Sequence, residues 1–357
     1  MYSDEESRYA IDTHEEFTLS ITRSLPRNIV LRRGHANDEI PTLEVMRRAM
    51  GFSSTAEYHM PMRNHLRETP ATSFWLAEET PRFARPRTVG YARSIVRDGV
   101  FCLTEFFVLP DYHRRGIGSN LLANCLRDSE AFGMEARMVL ASHHANANAL
   151  YIRQLGCLPR LPMYLLAGSP STLELPREQQ GTIFDPYFTE PIPDMKRDTL
   201  FAEPLCYTPE TLQALNRLDR QVIGFAREEE HRFWGVQIEE DQGVGRLFRR
   251  GSDTGEVVGY AYNAPHTQGP ILATEPHDVP RLLHHITHLL QHQSRLRPAT
   301  AFSQGYDSYC AIAGICDPTL TWLLRCGWQI IFEYLYFSSR PLGKLDSYVG
   351  CNPLYVL

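Results

Sequence analysis

The sequence predicts an α/β fold with a mixed sheet, and three observations lead to this prediction. Residues 101–107 form an apolar, aromatic run typical of a strand, and Pro110 ends it because proline gives no N–H to a ladder. Apolar residues between 121 and 132 then recur at helical spacing. Strand and helix patterns alternate on both sides of this segment, which is typical of a layered α/β domain.

The first half of the chain is assigned from local patterns. Pro41 near a first turn and Gly51 after the last turn frame one helix. Asp98-Gly99 predicts a hairpin turn, and residues 53–69 are predicted to be helical or mixed. In chain order we expect a strand at 28–33, a helix at 40–50, strands at 73–78, 88–95 and 101–107, a helix to 132, a strand at 136–141, a loop and helix at 144–156 and a strand at 161–167.

The second half repeats this order. Val258-Gly259-Tyr260-Ala261 echoes Val89-Gly90-Tyr91-Ala92, and a proline-rich stretch at 168–197 precedes the repeat. We expect helices at 208–220, 280–291 and 319–328, and strands at 245–250, 256–262, 269–274, 300–302 and 330–337. The predicted domains are an arm at 1–24, a first unit at 25–168, a linker at 169–198 and a second unit at 199–357.

Composition narrows the classes of function. A net charge of −6 gives no basic field for nucleic acid, and no apolar run has membrane-spanning length. The acidic N-terminus does not resemble a signal peptide, and the eight cysteines include no Cys-x-x-Cys pair. We therefore expect a cytoplasmic protein with reduced thiols; the oligomeric state stays open, a homo-oligomer included.

The turn at 114–119, Arg-Arg-Gly-Ile-Gly-Ser, carries the main functional prediction. A helix start offers unpaired N–H groups and the positive end of the helix dipole. Gly116 and Gly118 let the main chain approach a ligand, and Arg114 and Arg115 add positive charge. This combination predicts a pyrophosphate site. The alternative is a glycine-containing turn with solvated arginines.

This stretch resembles the coenzyme A-binding motif of the GNAT acetyltransferase superfamily. Val108, Pro110, Gly116 and Gly118 match the motif, and His113 stands where the family has Gln or Arg. The resemblance implies two GNAT-like units, each a mostly antiparallel twisted sheet flanked by helices.

A second segment, 146–157, resembles the family's Asn-x-x-Ala-x-x-Leu-Tyr-x-x-x-Gly-Phe pattern. Tyr151 sets the register, His144 takes the usual asparagine position, and Cys157 replaces the usual phenylalanine. The resemblance implies acetyl-coenzyme A as the cofactor. It implies contacts to that cofactor from Phe107, Val108, His113, Arg114, Arg115, Gly116, Ile117, Gly118, Ser119, Asn146, Asn148 and Tyr151.

The resemblance also implies two catalytic residues. Glu105 lies where many relatives carry a glutamate that takes the proton of the amine, often through water. Tyr151 lies where the family tyrosine protonates the departing thiolate. The alternatives are a carboxylate on the strand surface for Glu105 and a packed helix side chain for Tyr151.

The second unit is predicted to bind no coenzyme A. Residues 275–280, Glu-Pro-His-Asp-Val-Pro, stand where its phosphate turn should be. They contain no glycine pair, two prolines without N–H donors, and acids that would repel phosphate. Asp219 and Arg227 are expected to brace this unit.

Four histidines fall on one predicted helix: His284, His285, His288 and His292. Spacings of four residues can hold a metal, but no glutamate follows the first histidine as in a metalloprotease helix. We favour a solvated or interface face and predict no metal site.

The functional prediction is an acyl-CoA-dependent N-acetyltransferase that acetylates an amine of a small molecule. One alternative is a non-catalytic protein that senses acyl-CoA or a metabolite. Another is an N-acetyltransferase that acts on proteins. The acyl acceptor and the acyl chain length stay open.

Overall fold

The computed structural model describes residues 24–51, 56–176, 182–188, 198–264, 267–292 and 307–351, with only the main chain at 56–59. The predicted arm, apart from Ser24, and the predicted strand at 300–302 lie outside these residues.

The described residues form helices close to the predicted positions. Thr208 caps its helix by accepting a hydrogen bond from the Thr211 N–H, as the sequence predicts. A π-helical turn, Tyr151–Leu155, extends α4. The helices are α1 Glu39–Met50, α2 Ala56–Glu68, α3 Ile117–Glu130, α4 Ala145–Leu150, α5 Pro209–Val222, α6 Glu228–Glu239, α7 Val279–His292 and α8 Asp317–Arg325.

The strands also follow most of the predicted pattern. The predicted hairpin turn is formed, with positive φ at Asp98 and Gly99. The strands are β1 Ile29–Arg33, β2 Thr72–Glu79, β3 Arg87–Arg97, β4 Val100–Val108, β5 Ala136–Ala141, β6 Leu158–Gly168, β7 Ile183–Phe184, β8 Leu200–Pro204, β9 Val244–Arg250, β10 Val257–Ala264, β11 Thr267–Ala273, β12 Ser308–Ala313, β13 Gln329–Ser338 and β14 Tyr348–Gly350.

All described strands join one mixed sheet. Its order is β1-β2-β3-β4-β5-β13-β6-β12-β14-β11-β10-β9-β8-β7. The last long strand of each half crosses over: β13 lies beside β5, and β6 lies beside β12. The ranges predicted as two units therefore share their central strands. The predicted mixed α/β fold is confirmed; the domain boundaries stay a prediction.

Helices cover both faces of the sheet in each half. Along β10, Tyr260 and Tyr262 join the apolar cluster of α5 and α6, whereas Ala261 joins that of α7. Along β4, Cys102 joins the cluster of α2 and α5, whereas Phe101 joins that of α3. Because one cluster contains residues of α2 and of α5, the two halves share part of a core.

Ion pairs also join the halves. Arg97 at the end of β3 contacts Glu230 of α6, with Nη2 and Oε1 3.0 Å apart. Asp98 of the hairpin turn accepts a 2.7 Å bond from Arg220 Nε and a 3.0 Å bond from the main-chain N–H of Ala226. The described part of the predicted linker packs on the second half, because Asp185 is fully buried and pairs with Arg246 at 2.7 Å.

Local pattern missed one helix, α6, and four strands, β7, β8, β12 and β14. Helix α6 begins with three glutamates, and the four strands have two, five, six and three residues. Each is short or weakly periodic by itself and gains its buried surface from neighbouring elements, which a reading by local pattern does not include.

Candidate functional site

The site forms where β4 and β5 diverge. These parallel strands pair from Val100↔Ala136 to Leu103↔Val139 and no further. Among the described strands, none pairs with residues 104–108 of β4 on its β5 side. A slot of this kind offers free main-chain N–H and C=O groups to an extended ligand.

A β-bulge reverses the faces of the sheet to which the last side chains of β4 point. Opposite β3, Arg93 pairs with Glu105 and Ser94 pairs with Leu103, so Thr104 is the extra residue. Without it, Glu105 would face α3, as Leu103 does. With it, Glu105 faces α1 and α2, and Phe106 faces α3.

The turn after β4 has the conformation of an anion cradle. Arg114 and Gly116 both have positive φ, 62° and 80°. In the described part of the chain, no carbonyl accepts a hydrogen bond from the N–H groups of Arg114, Arg115 or Gly116. Helix α3 begins at Ile117, whose side chain is buried, so the next N–H groups also point out of the helix start.

Gly118 lies where the start of α3 approaches β4. A Cβ at this position would lie 2.9 Å from Cζ of Phe106 and 3.8 Å from Cδ2 of Leu150. A larger residue would therefore displace the aromatic side chain at the end of the slot. This contact explains the second glycine of the motif, and the first is explained by its positive φ.

His113 of the first motif and the neighbouring His144, which precedes the second segment, lie with their rings edge to face. His113 Nε2 bonds to the Val108 carbonyl at 2.8 Å, and its ring centroid lies 5.2 Å from that of His144. The side chain of His113 thus braces the end of β4 instead of pointing to solvent. Ser119 accepts a 2.5 Å bond from Gln154, which ties the start of α3 to the π-helical turn.

The remaining predicted cofactor contacts are spread around the slot. The Phe107 ring packs 5.7 Å from that of Tyr91, on the side of α1 and α2. Asn146 is exposed on α4. The Oδ1 atom of Asn148 is buried, and no described residue donates a hydrogen bond to it. That unsatisfied acceptor is a place where a ligand N–H could bind.

Tyr151 lies next to the slot. Its ring packs edge-on against Phe106 at 5.9 Å and Phe337 of β13 at 6.1 Å. Its hydroxyl group makes no hydrogen bond to any described residue. Burial raises the pKa of Tyr151 well above its usual value, so the phenol stays protonated at neutral pH and can donate a proton.

Glu105 belongs to a buried cluster of four charges. Its side chain is fully buried, and its two oxygens lie 3.1 Å from Arg63 Nη1 and 3.1 Å from Arg93 Nε. Both arginines also contact Glu39, at 2.9 Å and 2.8 Å. Burial raises the pKa of Glu39, but Arg93 and Arg63 outweigh it and leave this pKa below its usual value. The cluster joins α1, α2, β3 and β4.

These contacts determine what the site can bind. A row of outward N–H groups, two exposed arginines and an open strand edge fit a ligand with linked phosphates followed by an extended amide chain. The residues present therefore fit an acyl-coenzyme A. Glu39, Arg63 and Arg93 were not predicted as site residues, because their link to Glu105 spans up to 66 positions and has no local signature.

The second half lacks this arrangement. After β11, a short 3₁₀ turn at 276–278 runs directly into α7, without a counterpart of residues 113–116. The start of α7 holds the chain's own carboxylate instead: Asp278 is buried and contacts Arg250 and Arg281 at 2.5 Å. The slot between β11 and β12 is filled by β14, which pairs with both strands.

The other predicted features are located as follows. Asp219 is buried between Arg227 and His231, each 3.1 Å from its Oδ2. The rings of His284 and His288 lie 4.3 Å apart, and no group of three or more metal-ligating side chains forms among the described residues. Of the helices that the structure describes, none has the length and apolar character needed to cross a membrane.

Comparison with known proteins defines the class. Residues 42–157 match the model of the acetyltransferase (GNAT) family. This segment therefore forms a domain of the GNAT acetyltransferase family. No curated protein matches the sequence.

Several solved structures share the fold along most of the chain. A proposed acetyltransferase of Pyrococcus horikoshii is similar over 93% of this chain and 97% of its own, with a TM-score of 0.63 and 14% identity. A GCN5-related N-acetyltransferase of Sphaerobacter thermophilus is similar over 91% of this chain and 100% of its own, with a TM-score of 0.55 and 12% identity. A tandem GNAT protein from the clavulanic acid biosynthesis pathway is similar over 88% of this chain and 99% of its own, with a TM-score of 0.52 and 16% identity. At these identities the likeness concerns the fold.

Proposed function

We propose that the protein is an acyl-CoA-dependent N-acetyltransferase that acetylates an amine of a small molecule. The observation that carries this proposal is the turn at 114–118, whose N–H groups point outward beside an unpaired strand edge. Family membership supports acetyl transfer. We further propose a cytoplasmic location, in keeping with the predicted reduced thiols.

The donor would be held along the slot. The N–H groups of residues 114–118 would bind its phosphates, and the open edge of β4 at Phe107 and Val108 would bind its amide chain. Asn148 has a buried acceptor free for a ligand N–H. Ser119 and Asn146 flank the same helix starts. When bound, acetyl-CoA would supply an activated acyl group.

Tyr151 is proposed as the proton donor. Its phenol lies among apolar rings, and its raised pKa keeps the proton on oxygen. An acid that stays protonated at neutral pH and lies next to the slot suits the protonation of a departing thiolate.

Glu105 is proposed as a positioning residue. A general base needs a lone pair that the substrate amine or a water can reach, but both Glu105 oxygens are buried and face arginines. Its position directly after the bulge at Thr104 suits it to holding the end of β4 away from β5. In this proposal the amine arrives unprotonated or loses its proton elsewhere.

A non-catalytic acyl-CoA-binding protein is the second candidate. The observation that favours it is the same ion pairing of Glu105, because it removes the side chain predicted as the base. Both candidates use the same slot and differ only in turnover.

Calorimetry and a turnover assay test the two candidates together. Titration of the full chain with acetyl-CoA should give one bound molecule per chain. Thiol release should then rise with concentration for at least one member of a panel of small amines. Binding without stimulation by any amine would favour the second candidate. The absence of binding, or two molecules per chain, would contradict the proposal.

A further inference from the structure

The loop at 80–86 between β2 and β3 exposes an aromatic side chain among arginines. Phe83 is 92% exposed, the highest value among the exposed large apolar side chains described. The Arg82 guanidinium lies 5.2 Å from its ring centroid, and Arg85 is exposed two residues later. A single exposed apolar residue is ordinary on a protein surface. This loop is of interest because it lies next to the anion cradle.

The base of the loop is fixed to the anion cradle. Arg87 Nη2 donates a 2.6 Å bond to the Tyr112 hydroxyl, which donates a 2.6 Å bond to Glu79. On the other side, the Arg115 guanidinium lies 5.1 Å from the Tyr112 ring centroid. Phe83 is four residues from Arg87, so the loop tip lies at most roughly 14 Å from that anchor.

An open depression lies at the same corner. It has a volume of about 630 Å³ and is lined by Ser24, Leu25, Pro26, Arg114 and Arg115. Its wall is connected to the loop, because the Asn28 carbonyl accepts a 2.8 Å bond from the N–H of Thr80. The depression therefore lies beside the cradle, and the chain segment that forms its other wall continues to the contact with the base of the loop.

The charge of this corner is positive. Within the described part of the chain, no carboxylate pairs with Arg82, Arg85, Arg114 or Arg115. The chain as a whole has a net charge of −6, so this local excess of positive charge is opposite in sign to the charge of the whole protein. Uncommitted guanidinium groups beside an exposed ring suit a ligand that carries phosphate and a flat base.

We propose that this corner binds the nucleotide end of coenzyme A. Phe83 stacks on the adenine base, and Arg82 and Arg85 bind the 3′-phosphate. Arg114 and Arg115 line the depression that the ribose occupies. This inference rests on the proposed function, because it takes coenzyme A as the donor.

Three ligands divide the donor into its parts: coenzyme A, 3′-dephospho-coenzyme A and 4′-phosphopantetheine. Calorimetry measures the dissociation constant of each for the full chain, for R82A/R85A and for F83A. Arg217→Ala and Tyr187→Ala serve as controls, because both residues are exposed and lie in the second half or its approach. Melting curves of all variants establish that they are folded.

Each ligand should respond differently. R82A/R85A should weaken coenzyme A binding by about 10-fold and leave dephospho-coenzyme A unchanged. F83A should weaken both nucleotides by about 10-fold and leave 4′-phosphopantetheine unchanged. The controls should match the unaltered chain.

Other results would overturn the inference. Equal weakening of coenzyme A and its dephospho form by R82A/R85A would indicate general attraction without a 3′-phosphate site. Unchanged affinities in all variants would remove the loop from the site while leaving the proposed function intact. If the unaltered chain binds none of the three ligands, both the inference and the proposed function fail.

Discussion

The turn after β4 and the turn after β11 take equivalent places in the two halves, yet their chemistry is opposite. The first offers outward N–H groups at Arg114, Arg115 and Gly116. In the second, Asp278 sits at the start of α7 and is neutralised by Arg250 and Arg281. One helix start is open to an anion, and the other already holds one.

The slots beside these turns differ in the same way. Beyond Leu103, no strand of the described residues pairs with the β5 side of β4. The edge of β11 pairs with β14, at Ile271↔Val349 and Leu272↔Tyr348. The Tyr348 hydroxyl then accepts a 2.8 Å bond from Arg227, inside the buried cluster around Asp219. A copy of a binding fold can thus be closed by its own chain, which satisfies the main-chain groups that a ligand would otherwise use.

Of the variants that test the difference between the two turns, Gly118→Leu should have the largest effect. Gly118→Leu should abolish measurable binding of acetyl-CoA, a loss of at least about 100-fold or 2.8 kcal/mol, because its side chain would enter the space of Phe106. His277→Leu changes the corresponding turn of the second half and should leave affinity unchanged. Calorimetry measures both, and equal affinities for the two variants would contradict the assignment of the site.

Tyr151 and Trp322 occupy equivalent positions in the two halves, because each precedes a glycine, Gly156 or Gly327, by five positions. Their variants test whether the catalytic role belongs to the first half alone. Tyr151→Phe should lower kcat by about 10³-fold with little change in KM, since it removes the proposed acid. Trp322→Phe removes an indole N–H that bonds to the Glu174 carbonyl and part of a buried ring, both in the second half, so kcat should stay within about threefold. A Tyr151→Phe variant with full turnover would eliminate the acid role.

Glu105 in the first half and Asp219 in the second half are both fully buried carboxylates. Glu105→Gln leaves Arg63 and Arg93 to share the single charge of Glu39, and Asp219→Asn removes the carboxylate that faces Arg227. Because each change leaves buried positive charge in excess, each should lower the free energy of unfolding by about 3–5 kcal/mol. Denaturant unfolding measures this loss. If Glu105 only positions β4, the remaining folded enzyme keeps the same pH dependence of kcat. A change in the pH dependence of kcat at Glu105→Gln, without a loss of stability, would restore the role of base.

The contact between halves should make the protein sensitive to acid. Burial raises the pKa of Glu230, but Arg97 and His65 outweigh it and hold this pKa at about 2. Because the folded pKa is lowered, the stabilisation is complete above about pH 4.5 and is lost as the pH falls toward 2. The loss is about 3 kcal/mol.

Unfolding measured between pH 6 and pH 3 should show about 2 kcal/mol of this loss, and Glu230→Gln should remove it from that range. A wild-type slope equal to that of Glu230→Gln would show that the contact contributes nothing.

Local pattern predicted much of this fold. Alternating and helical periodicity placed most strands and helices, and the repeated Val-Gly-Tyr-Ala segment fell on equivalent strands, β3 and β10. The glycines of both copies face a carbonyl of the next strand, Phe107 for Gly90 and Leu272 for Gly259. Strand β14 and the β13 crossover were not predictable in this way, because their pairing depends on residues far away in the chain.

The candidate site likewise has one part that local pattern predicts and one part that depends on distant residues. The cradle followed from Gly116 and Gly118, since their spacing and helix start act locally. The surroundings of Glu105 did not, because the bulge at Thr104 reverses the strand alternation and turns the carboxylate toward Arg63 and Arg93. No sequence period contains that reversal.

By itself the sequence determined the mixed α/β class, the family match of residues 42–157 and the glycine-containing turn at the start of α3, since each depends on residues within about one element of one another. The tertiary structure decided which slot is open, because β14 fills one and nothing described fills the other. It also decided which charges meet in the core, since contacts between distant strands and helices are set by folding and not by chain order.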